Sequence, residues 1–268
     1  MRLDFMLDSY TDLCEAIVRS GYAPMTVHDY LETGKLPARL AVMRHDVDET
    51  PRRERKMAQI ESDFGIRATY YFRFRKGIFL PDLIRELAGM GHEIGYHYEA
   101  VDKAKGNPQR ALEIFGDELT AFREIVDVKT IGMHGNPLTR WDNRDLWRDH
   151  DFKGFGISGE AYLSFDSHSI AYLSDTGRTW GPELKTKDWL PPKADGGKPP
   201  YAVPKVHSTD DVIQMIRKHQ CDQLYFNTHP GRWGDGLLSW TRSFAEDEAV
   251  NLLKRAMALK NRAGGKTR

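Results

Sequence analysis

Residues 40–49 read LAVMRHDVDE, an apolar run that ends in one histidine, two aspartates and a glutamate. LAVM predicts a buried β-strand. A strand that leaves a core with carboxylates at its tip must pair them, hydrogen-bond them or give them to a metal. Side chains alternate along a strand, so Asp46 and Asp48 share one face. Whether other strands end in the same way decides the fold and the chemistry.

They do, and helices separate them. A helix is expected over 9–20, with Ser9 as its cap and Gly21 as its stop. After the strand RLAVMRHD, Thr50-Pro51 is expected to open a helix with proline at its first position, closed by Gly65. ATYYFRF reads as a strand, FLPDLIRELAGMG as a helix ending at Gly91, and EIGYHYE as a strand. Asn107-Pro108 opens a helix in which Leu112, Phe115, Leu119, Phe122 and Val126 follow helical spacing. VKTIGMHG is the next strand and WDNRDLWRD a short helix. FKGFGISGEAYL and IAYLSDTG are two further strands; Ser208 caps a helix to about Gln220. QLYFNTHP is the last strand, before a helix over 244–260.

Strand and helix in strict turn predict an α/β fold, a parallel sheet covered by helices. About seven strands with no break in composition favour a closed or partly closed (β/α) barrel over an open doubly wound sheet. One domain is expected over residues 1–262, followed by a flexible tail at 263–268. The proline- and glycine-rich stretch from Gly181 to Lys205 is expected to be a loop lying over the mouth of the barrel.

Composition narrows the partners. The 268 residues carry 39 Lys+Arg and 39 Asp+Glu, a formal charge of zero, so no basic field argues for nucleic acid or an anionic membrane. No apolar stretch approaches the length of a transmembrane segment, and MRLDFMLDSY lacks the pattern of a signal peptide. Cys14 and Cys221 match no metal or redox spacing. A soluble, cytoplasmic protein is expected.

In a parallel barrel, chemistry sits at the C-terminal ends of the strands. Four predicted ends carry titratable groups: Asp46 and Asp48, then His97 and Glu99, then His134, then His229. A carboxylate with two imidazoles suits zinc or another divalent first-row metal. Arg44 either holds Asp46 through a charge-assisted bond or touches substrate. Arg73, Glu99, Glu160, Asp175 and Arg178, near other predicted strand ends, are candidate substrate contacts.

RHDVDETPRRERKMAQIESDFGIRATYYF (44–72) followed by GHEIGYHYE (91–99) resembles the polysaccharide deacetylases of carbohydrate esterase family four. The likeness runs more loosely through GMHGNP to NTHP. It implies a distorted (β/α)7 barrel, with Asp46 as catalytic base, Asp48 and His97 as metal ligands, and His229 as general acid. The chain departs from the family twice: Val47 splits the aspartate pair, which leaves the base and ligand roles of Asp46 and Asp48 exchangeable, and Val101 stands where the family has its second metal histidine. His134 is therefore the expected third ligand, ahead of Glu99 and Asp102. In this HDVD-type branch the resemblance further implies lipopolysaccharide or capsule biosynthesis.

The function this predicts is metal-dependent removal of an N-acyl group, acetyl foremost, from a nucleotide-linked or lipid-linked amino sugar in cell-surface polysaccharide or O-antigen assembly. A metal-independent amidase on the same barrel and a non-catalytic glycan-binding protein are the alternatives. An iron oxygenase fits the ligand types but not the strand–helix alternation.

Overall fold

The computed structural model describes residues 3–181, 187–190 and 204–264, with the backbone alone from 253 onward. The parts of the 181–205 loop and of the C-terminal tail beyond those limits lie outside the described residues. The chain runs through α1 (Leu7–Arg19), β1 (Ala23–Met25), α2 (Val27–Glu32), β2 (Leu40–Val47), α3 (Glu54–Asp63) and β3 (Thr69–Phe72). It continues with α4 (Pro81–Gly89), β4 (Glu93–Tyr98), α5 (Ala100–Lys103), α6 (Pro108–Arg123), β5 (Thr130–Met133) and β6 (Gly159–Glu160). The last elements are β7 (Ala171–Ser174), α7 (Thr209–Arg217), β8 (Gln223–Thr228) and α8 (Leu237–Gly264).

All strand pairs are parallel, and the spatial order is β6-β5-β4-β3-β2-β8-β7. This order separates the two expected architectures. A doubly wound sheet would place β7 beside β2 and β8 outermost. Here β8 lies beside β2, and β7 lies beyond it. Among the described residues the strands therefore follow one another as around a ring, with a seam between β6 and β7. The fold is an α/β half-barrel, curled but open along that seam. Short β1 pairs with the start of β2 at Leu40–Val42, below the point where β3 takes over at Arg44.

Every residue of β2 is buried, as a strand with packed layers on both faces requires. Asn107 caps α6 by accepting the Arg110 N–H, and Ser208 and Asp211 form a capping box on α7. Elsewhere the local expectations need correction. Pro51 does not open α3, which starts at Glu54; the Glu54 carboxylate instead accepts the N–H groups of Arg52 and Arg53, at 2.6 and 2.9 Å. Ser9 lies inside α1, and α8 begins at Leu237, ahead of 244. The strand expected across 152–163 shrinks to Gly159–Glu160. Phe152 and Phe155 form a 3-10 turn that packs on Trp147, and Gly156 ends it at φ +69°. Among the described residues no helix is long and apolar enough to cross a membrane.

Candidate active site

The C-terminal ends of β2, β4, β5 and β8 converge. Arg44, fully buried, reaches two residues along its own strand and grips Asp46 with both ends of its guanidinium fork: Nε to Oδ1 and Nη2 to Oδ2, each 2.8 Å. Its flat face lies 4.3 Å from the centre of the Tyr162 ring. Asn227 Nδ2 donates to Asp46 Oδ2 at 3.1 Å, so both carboxylate oxygens are fixed in place. Burial works against the Arg44 charge, but Asp46 outweighs it and the guanidinium stays firmly protonated.

Two residues on, Asp48 meets two imidazoles. Its Oδ1 lies 3.1 Å from His97 Nε2 and 2.9 Å from His134 Nδ1. His97 donates Nδ1–H to the Gly132 carbonyl at 2.8 Å, which fixes the ring with Nε2 turned toward Asp48. His134 is held by its backbone: its N–H donates to the Tyr98 carbonyl at 2.8 Å, and its own carbonyl accepts from Asn143 Nδ2 at 2.8 Å. Burial opposes ionisation of Asp48, yet His134 and His97 hold its carboxyl well below the usual carboxylate range.

Ligand atoms of Asp48, His97 and His134 all lie within 4.8 Å of one another. One oxygen and two imidazole nitrogens, with one ring already fixed by a backbone carbonyl, fit a divalent metal of the zinc type. The side chain close enough to join Asp48 and His97 in such a set is His134. Val101 is buried at the start of α5, and its N–H bonds to Asn143 Oδ1 at 3.0 Å. The asparagine that anchors the His134 carbonyl thus also pins the position where the resemblance would put a histidine.

Opposite the triad, His229 points Nε2 toward the two aspartates, 4.0 Å from Asp46 Oδ2 and 3.7 Å from Asp48 Oδ2. Its Nδ1–H donates to Asp175 Oδ1 at 2.6 Å. Asp175 also accepts the His229 backbone N–H, Trp233 Nε1 and Arg232 Nη1, at 2.9, 3.0 and 3.2 Å, so the HPGRW turn closes around this one carboxylate. Burial and the neighbouring Arg232 press His229 toward its neutral form. Asp175 and Asp48 outweigh them and raise its pKa. Burial likewise opposes the Asp175 charge, while His229 keeps it below the ordinary carboxylate range.

These groups line a cavity of about 220 Å³ at the strand ends, together with Tyr162, Thr176, Asp188 and Arg232. The six expected substrate contacts do not line it, because each is spent on the protein. Arg44 serves Asp46, and Asp175 serves His229. Arg73 donates to the Asp48 carbonyl and to Glu99. Glu160 is fully buried and accepts the N–H groups of Met133, Tyr162 and Leu163. Arg178 bonds to the Arg232 carbonyl and to Asp247. The sequence reading missed Arg232, within the HPGRW turn, and Asp188. Asp188 accepts from Tyr162, Tyr172, Ser174, Thr176 and Asn227, and no local pattern marks it.

No family model matches the sequence, and no curated protein matches it. Among solved structures the chain is similar to a "putative polysaccharide deacetylase" from Mycobacterium smegmatis, with 14% identity and a TM-score of 0.44, covering 88% of this chain and 96% of that one.

Proposed function

We propose that this chain is a metal-dependent hydrolase that removes an N-acyl group, acetyl foremost, from an amino sugar. The observation that carries the reading is one cavity with three components. It holds a buried carboxylate at Asp46, an imidazole with raised pKa at His229 and, bordering both, a two-histidine, one-aspartate set. The motif resemblance of residues 44–72 and 91–99 supports the same reading.

Held by Asp48, His97 and His134, a divalent cation such as zinc would supply Lewis-acid polarisation of the amide carbonyl. The protein's own groups move the protons. Asp46, oriented by Arg44 and Asn227, accepts a proton from the attacking water as its oxygen bonds to the carbonyl carbon. His229 gives the Nε2 proton to the leaving nitrogen as the C–N bond breaks, which releases a carboxylate and an amine. Asp175 fixes the imidazole in the tautomer and direction this needs.

A cavity of about 220 Å³ lies below the roughly 300–1,000 Å³ of drug-sized ligand clefts, which suits one sugar residue better than a polymer segment. The substrates proposed are nucleotide-linked and lipid-linked amino sugars of cell-surface polysaccharide or O-antigen assembly, met in the cytoplasm. The test is acetate release from a panel of N-acetylated sugars of these kinds by zinc-loaded protein, beside chitin oligomers and polymer. Acetate from a small substrate and little from the polymer is the expected result. Release from none of them overturns the reading, and undiminished turnover after chelation overturns its metal dependence.

A further inference from the structure

On the other side of β2, facing the helices, lies a second buried cluster that the chemistry does not use. Glu61 of α3 is fully buried, and three side chains converge on it. Tyr10 of α1 donates to Oε1 and Tyr70 of β3 to Oε2, both at 2.6 Å, while His45 of β2 brings Nε2 within 2.6 Å of Oε1. Burial opposes the Glu61 charge, but His45 and His92 lower its pKa, so the carboxylate is an acceptor and His45 Nε2 is the donor. The other nitrogen, His45 Nδ1, is hydrogen-bonded to the Thr228 hydroxyl at 2.6 Å. His45 and Thr228 are both fully buried.

The place of that last bond matters. His45 and Thr228 are paired residues in the β2–β8 ladder, and theirs is its final rung. The next residue on β2 is Asp46, and the residue that follows β8 is His229. Beyond this rung the two strands part, and no other rung between them sets how the base and the acid face each other. A buried charge in the layer between sheet and helix is an expensive way to gain stability, since apolar side chains of similar volume serve as well or better.

We propose that the Glu61–His45–Thr228 chain is a positioning device that fixes the gap between Asp46 and His229 from behind the sheet. His45 and Thr228 are positioning residues, acting through the two residues that follow them. This rests on the hydrolase reading for the roles of Asp46 and His229, though the geometry it describes does not.

The test compares four proteins: wild type, Thr228→Val, Thr228→Ser and Tyr70→Phe. Valine keeps the shape and removes the hydroxyl, serine restores it, and Tyr70→Phe removes an equally buried bond to Glu61 on the side away from β8. Thr228→Val is expected to lower kcat by about tenfold or more with KM nearly unchanged, since a small misplacement of reacting groups costs rate rather than binding. Thr228→Ser should recover most of the rate, and Tyr70→Phe should lose stability without losing kcat. Independently of any substrate, hydrogen exchange in Thr228→Val should quicken in the peptides holding residues 44–48 and 228–233 and not elsewhere. If Tyr70→Phe lowers kcat as far as Thr228→Val does, the cluster is only structural and the proposal falls. It falls equally if exchange at those strand ends is unchanged. Should the wild type deacetylate no sugar, the hydrolase reading fails, and the exchange experiment still decides the brace.

Discussion

Asp175 holds His229 at two points: Oδ1 accepts the ring Nδ1–H at 2.6 Å, and Oδ2 accepts the backbone N–H at 2.9 Å. The ring can neither turn about χ2 nor swing with its backbone without giving up a bond to a fully buried carboxylate. Nε2 is therefore committed to the cavity, where Asp46 and Asp48 lie 4.0 and 3.7 Å away.

That relationship sets the pH dependence. Burial and Arg232 favour neutral His229, but Asp175 and Asp48 raise its pKa overall. A general acid works while protonated, so activity should fall as pH rises through that raised pKa. Asp175→Asn removes a raising influence and leaves the lowering ones. The basic limb of the kcat profile should then move to lower pH, and kcat should drop by roughly 10²–10⁴-fold, the scale of acid–base catalysis. A basic limb that stays in place in Asp175→Asn would remove His229 as the acid.

Metal content separates the ligands from their neighbours. Loss of an outer partner of a metal site typically weakens binding by about 10–100-fold, so loss of a ligand should exceed that. His134→Ala and His97→Ala should purify with little metal under replete conditions, as judged by elemental analysis. Glu99→Ala should keep its metal, because Glu99 is engaged with Arg73 at 2.5 Å. If His134→Ala retains full metal while His229→Ala loses it, then His229 is the ligand and the acid must be sought elsewhere.

Alternation along predicted strands was enough to bring Asp46, Asp48, His97, His134 and His229 to one mouth, because a strand's period of two is local and rigid. Partnership was not legible in the same way. Whether Asp175 touches sugar or His229 depends on β7 lying beside β8, a contact between residues 54 apart in sequence. Glu160 ends β6 as expected, yet the N–H groups of Met133, Tyr162 and Leu163 claim it, and Arg178 turns Nη1 to the Arg232 carbonyl, Ser243 and Asp247. A charge at a strand end signals the right face without saying who will claim it. Pro51 misled for a related reason: a good first-turn residue was overridden by Glu54, which satisfies the free N–H groups three residues later.

Arg44 supplies a stability prediction. It and Asp46 are both within 3% of complete burial and bonded at two points. Removing one partner of such a pair leaves an uncompensated buried charge, at a cost of about 3–5 kcal/mol. Arg44→Met should lower the urea midpoint accordingly, and Arg44→Lys should recover only part of it, since an ammonium cannot fork onto two oxygens. A midpoint within experimental error of wild type for Arg44→Met would show that the pair adds nothing to the fold.

The second glycine of GHEIG, Gly95, carries the last prediction. A Cβ on Gly95 would stand 2.2 Å from Tyr71 Cε1 and 3.0 Å from the Thr130 carbonyl oxygen. The tyrosine cannot step aside. It is fully buried, its hydroxyl is bonded to Thr130 Oγ1 at 2.8 Å, and the Arg44 guanidinium lies 5.2 Å from its ring centre. A methyl group there pushes on the ring that backs the residue gripping Asp46. Gly95→Ala should therefore destabilise by about 1–3 kcal/mol or more, as overpacked cores do, and should lower kcat as well. Gly89, at the end of α4, has nothing within 4 Å of its would-be Cβ. Gly89→Ala should be neutral or stabilising by up to about 1 kcal/mol, from helix propensity alone. Thermal melts of the two variants side by side test the packing of the barrel interior, and equal melting temperatures would mean that Tyr71 has room the structure denies it.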